Sequence, residues 1–191
     1  MMSKIVPPVC HLGFYHANTQ QPYDCGFFLT RSSSILPATF QNPNAAYLAS
    51  GPTKIPSPLN NGLENSRRFR ALPVYAALLA YGRSGYAEIF ARQVRLARGI
   101  SKFLQESEEY ELLPNGEKEG FHGVHIIVIF RARDEKINEE LVGRINGTRK
   151  MYVSGTKWDG KSASRIAIST WKVDVERDLK LISGILHELV R

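Results

Sequence analysis

The stretch that most constrains this chain runs from Gly85 to Glu106. Tyr86, Ile89, Phe90, Val94, Ala97, Ile100 and Leu104 recur at three- to four-residue intervals, the spacing that lines up apolar side chains on one side of an α-helix. A stripe of that length needs a second layer to cover it. The residues C-terminal to it supply one. Strands are predicted at 110–113 and 123–131, and Asp134 suits the N-cap of a helix running to about Asn146. Strands at 150–154 and 163–169 flank a turn at Asp159-Gly160, and Asp174 opens a last helix whose buried stripe is Val175, Leu179, Ile182, Leu186 and Leu189. The order β-β-α-β-β-α predicts an α+β (α/β) unit, an antiparallel or mixed sheet with helices on one face. Arg92, Arg95, Arg98 and Lys102 lie beside the first stripe and are expected to form a solvated face. There is no internal repeat.

Upstream the pattern loosens. Ser66 suits the N-cap of a helix to Tyr81 that stops at Gly82, with Pro73 expected to kink or restart it. Gly26–Thr30 predicts a short buried strand, and Asn42–Leu48 predicts one or two helical turns. Four of the ten prolines lie between Pro43 and Pro58, so Ser50–Asn65 predicts a long loop. The strand has no predicted neighbour, which leaves the first sixty residues loosely held in this reading. Charge divides unevenly along the chain. Residues 1–83 carry seven basic and two acidic side chains, against eighteen and sixteen in the rest.

Motifs for common chemistries do not occur. The chain contains no dinucleotide-binding glycine fingerprint, no Walker loop, no HExxH and no GxSxG. His122 and His125 are three apart on or beside a strand, which points them to opposite faces and argues against a metal site. Cys10 and Cys25 make neither a disulfide framework nor a zinc spacing. Glu106, Glu108, Glu109 and Glu111 predict a solvated acidic cluster. Apolar runs are far shorter than the roughly 18–20 residues that span a bilayer. No targeting signal is evident at the N-terminus, so a cytoplasmic setting is expected. Arg67, Arg68 and Arg70 crowd a helix start, where cations are disfavoured. They read either as a solvated turn or as a clamp for a carboxylate or phosphate.

Several segments occur together in a telling order. Pro22-Tyr23-Asp24-Cys25-Gly26 is followed by Pro56-Ser57-Pro58-Leu59, then by Ser66-Arg67-Arg68-Phe69-Arg70-Ala71-Leu72-Pro73-Val74-Tyr75-Ala76. Tyr81-Gly82-Arg83-Ser84-Gly85-Tyr86, Tyr152-Val153-Ser154-Gly155-Thr156 and Arg165-Ile166-Ala167-Ile168-Ser169 continue the series. In order and spacing they resemble the pyridoxal-phosphate-dependent group II amino-acid decarboxylases, which include glutamate, tyrosine and aromatic-amino-acid decarboxylases. The resemblance covers about residues 16–191. It implies the small C-terminal domain of fold-type I pyridoxal-phosphate enzymes over 84–191, a remnant of the large cofactor domain over 16–83, and an unmatched segment over 1–15. It implies pyridoxal phosphate as cofactor and an amino acid as substrate. It also implies a homodimer, or a heterodimer with a full-length family member, as the assembly.

The resemblance also implies a defect. In the family a His-Lys pair precedes Pro-Tyr-Asp-Cys-Gly, and that lysine forms the Schiff base with the cofactor. Here the histidine falls on His16 and the lysine falls on Ala17. Alanine has no amine with which to do this. The family's phosphate cup, ring-stacking histidine and pyridine-nitrogen aspartate lie upstream of the matched segment. The resemblance therefore implies a truncated decarboxylase, inactive alone and without catalytic residues of its own. His16 would be its cofactor-proximal residue. Arg67, Arg68 and Arg165 are the candidate contacts for a carboxylate or phosphate, with a structural salt bridge as the competing reading of Arg165. Two other classes compete with this one. One is a non-catalytic dimerisation module. The other is a basic nucleic-acid-binding α+β domain, which the lack of an aromatic RNP-like pattern disfavours. Neither nucleic acid nor membrane nor metal is the expected partner.

Overall fold

The computed structural model describes residues 9–12, 27–40, 62–63, 68–114 and 121–190. They form two compact units, one reaching Ala76 and one from Ala77 onward. In the first, strand β1 (Val9–Leu12) pairs antiparallel with β2 (Phe27–Thr30), Cys10 opposite Leu29. The strand expected at 26–30 therefore has a neighbour, contrary to the sequence reading. A four-residue strand such as Val9–Leu12 is too short to show alternation. Helix α1 (Ile35–Phe40) comes next, with the Ala38 N–H donating to the Ser34 carbonyl at 3.1 Å. The helical turns expected at Asn42–Leu48 lie outside the described residues. So do the Ser66 cap and all of the 50–65 loop except Gly62 and Leu63.

Helix α2 runs from Ala71 to Glu106, and Gly82 alone within it is non-helical (φ 60, ψ −174). Pro73 does not kink it. It sits in the first turn, where a missing N–H leaves no intrahelical bond unmade. The break occurs at Gly82 instead, where only glycine takes a positive φ without strain.

The second unit is built on a four-stranded antiparallel sheet of order β3-β4-β6-β5. Its strands are β3 (Tyr110–Leu113), β4 (Ile127–Ala132), β5 (Ser154–Trp158) and β6 (Lys161–Ala167). Helices α3 (Glu135–Gly147) and α4 (Val175–Leu189) complete it. Alternate strand residues Tyr110, Leu112, Val128, Phe130, Ala132 and Ile166 face one core. There they meet Leu96, Ala97, Ile100 and Leu104 of α2, Leu141 and Ile145 of α3, and Ile182 and Leu186 of α4. The three helices thus cover one face of the sheet. Gly99 lets α2 and α4 approach, since a Cβ there would lie 3.1 Å from Leu179 Cδ2.

The caps form where the sequence placed them. Asp134 accepts from the Ile137 N–H and Asp174 from the Arg177 N–H. Asp178 accepts in return from the Asp174 N–H at 3.0 Å, a reciprocal cap that satisfies donors the helix cannot. The strand expected at 150–154 is displaced to 154–158. Asp159 and Gly160 both have positive φ (49° and 75°), the geometry of a two-residue hairpin turn, and this pairs Trp158 with Lys161. Val153 is taken instead by Asn146, whose side-chain amide donates to the Val153 carbonyl and accepts from its N–H.

Candidate functional site

The face of the sheet opposite the helices carries the polar chemistry of the second unit. Strand alternation sends Val128, Phe130 and Ala132 into the core and leaves Ile129 and Arg131 on the other side. Register then sets Glu111 opposite Arg131, and Ile129 opposite Arg165, which in turn faces Ser154 on β5. Two arginines therefore share this face, one on β4 and one on β6.

Their situations differ. Arg131 donates through Nε to Glu111 Oε2, and both side chains are only 18% exposed. The hydrogen bond from Arg131 to Glu111 raises the guanidinium pKa; desolvation opposes this, and the charges of Glu111 and Asp159 add to the rise. Its Nη1 is buried and has no hydrogen-bond partner among the described residues. Glu111 is thus not part of a solvated acidic cluster, as the sequence suggested; a cross-strand partner draws it in. Arg165 is half-buried. Among the described residues no hydrogen bond or ion pair engages its guanidinium, so the salt-bridge reading finds no acid there. A guanidinium so placed can take a carboxylate through a two-point fork.

The other sequence candidates do not gather around it. His16, Ala17 and Arg67 lie outside the described residues. Arg68 is exposed in the turn that precedes α2, where its carbonyl accepts from the Arg70 N–H at 2.7 Å. His122 and His125 are both exposed in the turn before β4. Among the described residues no three His, Cys, Asp or Glu side chains could hold a metal, and no helix is long and apolar enough to cross a membrane.

Pyridoxal phosphate makes a specific demand of its site. An enzyme that bonds this cofactor covalently needs a lysine in a desolvated pocket. Every described lysine is instead exposed. Among the described residues none fits the cofactor's covalent attachment. Sequence reasoning missed Gln93, fully buried, whose side-chain amide donates to the Thr170 carbonyl at 3.1 Å. A glutamine inside an otherwise apolar stripe was the signal.

An antiparallel sheet backed by three helices defines an α+β domain. Residues 17–133 match the pyridoxal-dependent decarboxylase conserved domain. The chain belongs to the pyridoxal-dependent decarboxylase family, whose cofactor is pyridoxal phosphate. It is 27% identical to an aromatic-L-amino-acid decarboxylase of Bacillus atrophaeus over 171 residues, covering 86% of this chain and 35% of that protein. It is 33% identical to one of Manduca sexta over 104 residues, 53% of this chain and 19% of that one. The chain thus spans about a third or less of the curated relatives it matches. Its fold is like that of mouse CSAD in apo form (TM-score 0.73, 15% identity, 95% of this chain and 39% of that one). It is also like Oryza sativa TDC with PLP and tryptamine (TM-score 0.69, 20% identity, 85% and 34%).

Proposed function

We propose that this polypeptide is a decarboxylase-family segment that does not decarboxylate amino acids by itself, and that its C-terminal unit offers Arg165 to a carboxylate. The family reaction releases carbon dioxide from an amino acid bound to the cofactor as a Schiff base. The observation that carries the reading is the alanine at position 17. The exposure of every described lysine supports it. Arg165 supports the second half, as a half-buried cation without a described partner. His16 stands as the cofactor-proximal residue, and Arg67 and Arg68 as further carboxylate or phosphate contacts, expected from family position.

The test is direct. The purified chain, supplied with pyridoxal phosphate and an aromatic amino acid or glutamate, is assayed for carbon dioxide release. The reading expects a rate no higher than that of free cofactor; enzyme-dependent turnover would end it. For Arg165, NMR titration with a small dicarboxylate should shift β6 amides in the native chain and leave them unmoved in Arg165→Met.

A pairing role has its own observation. Leu72, Tyr75 and Leu79 recur at helical spacing on the first half of α2, and they are 52%, 59% and 68% exposed. Such a stripe suits a second copy of the chain or a full-length family member. Co-expression and size-exclusion should yield a mixed species, which Leu79→Glu should abolish.

A further inference from the structure

We infer that Trp171 is a latch across a hinge at Gly82. Gly82 interrupts α2 with a positive φ, and nothing lies within 4 Å of where its Cβ would stand. Local packing around the glycine therefore does not hold the break at one angle. Aromatic side chains on either side of it do. Tyr81, just before the break, meets Tyr86, just after it, edge to face at 5.8 Å between centroids. Tyr81 also leans on Trp171 at 6.4 Å. Tyr86 continues to Phe90 at 5.9 Å, so the contact is rooted in the second half of the helix.

Trp171 is a fit anchor because its backbone is fastened. It lies on the connection between β6 and α4. Arg92 Nη2 donates to the Trp171 carbonyl at 3.3 Å and Gln93 Nε2 to the Thr170 carbonyl at 3.1 Å. The Ile168 N–H donates to the Ile126 carbonyl at 2.8 Å, which ties the start of the connection to the sheet. Gln93 is 0% exposed, and a bond made in dry surroundings is not traded readily for water. Trp171 and Tyr81, in contrast, are 38% and 41% exposed. The Lys172 ammonium lies 5.2 Å from the Trp171 centroid, where it holds the indole's outer face. A fixed backbone, a partly exposed ring pair and a glycine between helical segments make a contact that opens without unfolding the core. Closed, it sets the direction of residues 77–81. Open, those residues turn about the φ and ψ of Gly82. This inference is independent of the carboxylate reading of Arg165.

Trypsin cleavage of the full native chain tests it, read by mass spectrometry at Arg83–Ser84 relative to Lys180–Leu181 within α4. Global unfolding exposes both bonds, so their ratio reports local opening. Tyr81→Ala and Trp171→Ala should each raise the ratio about fivefold, the range an aromatic pair controls. The double variant should raise it no further than Tyr81→Ala alone, which already removes both of that ring's contacts, and Trp171→Phe should stay near the native ratio. If Trp171→Ala does not fold, Tyr81→Ala decides, since that ring lies outside the core. An unchanged ratio in Tyr81→Ala, or effects that multiply in the double variant, would overturn the latch.

Discussion

The two halves of α2 carry similar apolar residues and meet opposite fates. After Gly82, Leu96, Ala97, Ile100 and Leu104 are at most 3% exposed and form the spine of the core. Before it, Leu72, Tyr75, Leu78 and Leu79 are 47–68% exposed and Val74 alone is buried, at 7%. Helical periodicity alone cannot tell these halves apart. The sheet does, because β3, β4 and β6 supply inward residues only along the second half. The lesson is that a stripe becomes a core only where another layer reaches it, and otherwise becomes a surface for something else.

Leu104→Ala is the strongest way to break that contrast. Its side chain is fully buried, so truncation should lower stability by about 3 kcal/mol in urea denaturation. A loss below about 1 kcal/mol would mean the second half is not the spine. Next comes Asn146→Ala. It strips the partner from both backbone groups of Val153, itself 1% exposed, and should cost about 2 kcal/mol. The same measurement reads whether α3 shares the core's cooperative transition.

Tyr110→Phe should cost about 1 kcal/mol, since its hydroxyl donates to the Leu186 carbonyl at 2.9 Å. It also changes the alkaline limb. Burial, and then the charge of Glu109, push the Tyr110 pKa up from 10.0 to about 12. The native state therefore keeps a proton that the unfolded chain releases. This contribution is whole below pH 10 and is lost as pH climbs through about 12. Stability measured between those limits should fall with pH in the native chain and less steeply in Tyr110→Phe. The smallest effect belongs to Leu79→Ala, within about 0.5 kcal/mol at a concentration where size-exclusion shows a monomer, and a larger loss there would show that the first half is covered within the chain itself.

Much of the second unit was legible in the sequence. The stripe from Tyr86 to Leu104, the caps Asp134 and Asp174 and the Asp159-Gly160 turn all rest on local chemistry. The displaced β5 shows where local reading fails. Met151-Tyr152-Val153 looks like strand, yet the hairpin turn sets the pairing and Asn146 claims Val153. The candidate site was half legible. Arg165 was singled out, but its contrast with Arg131 depends on strand register, which decides that Glu111 serves Arg131. Pro73 misled because its effect depends on its place in the helix, and α2 begins at Ala71.

The central proposal is that this chain has no lysine fitted to the cofactor. Mixing it with pyridoxal phosphate, reducing with borohydride and mapping the labelled peptides addresses that claim most directly. The account predicts label scattered among exposed lysines such as Lys136, Lys161 and Lys180, with none favoured and no label retained after competition by a small amine. Stoichiometric label at one lysine, resistant to that competition, would contradict it.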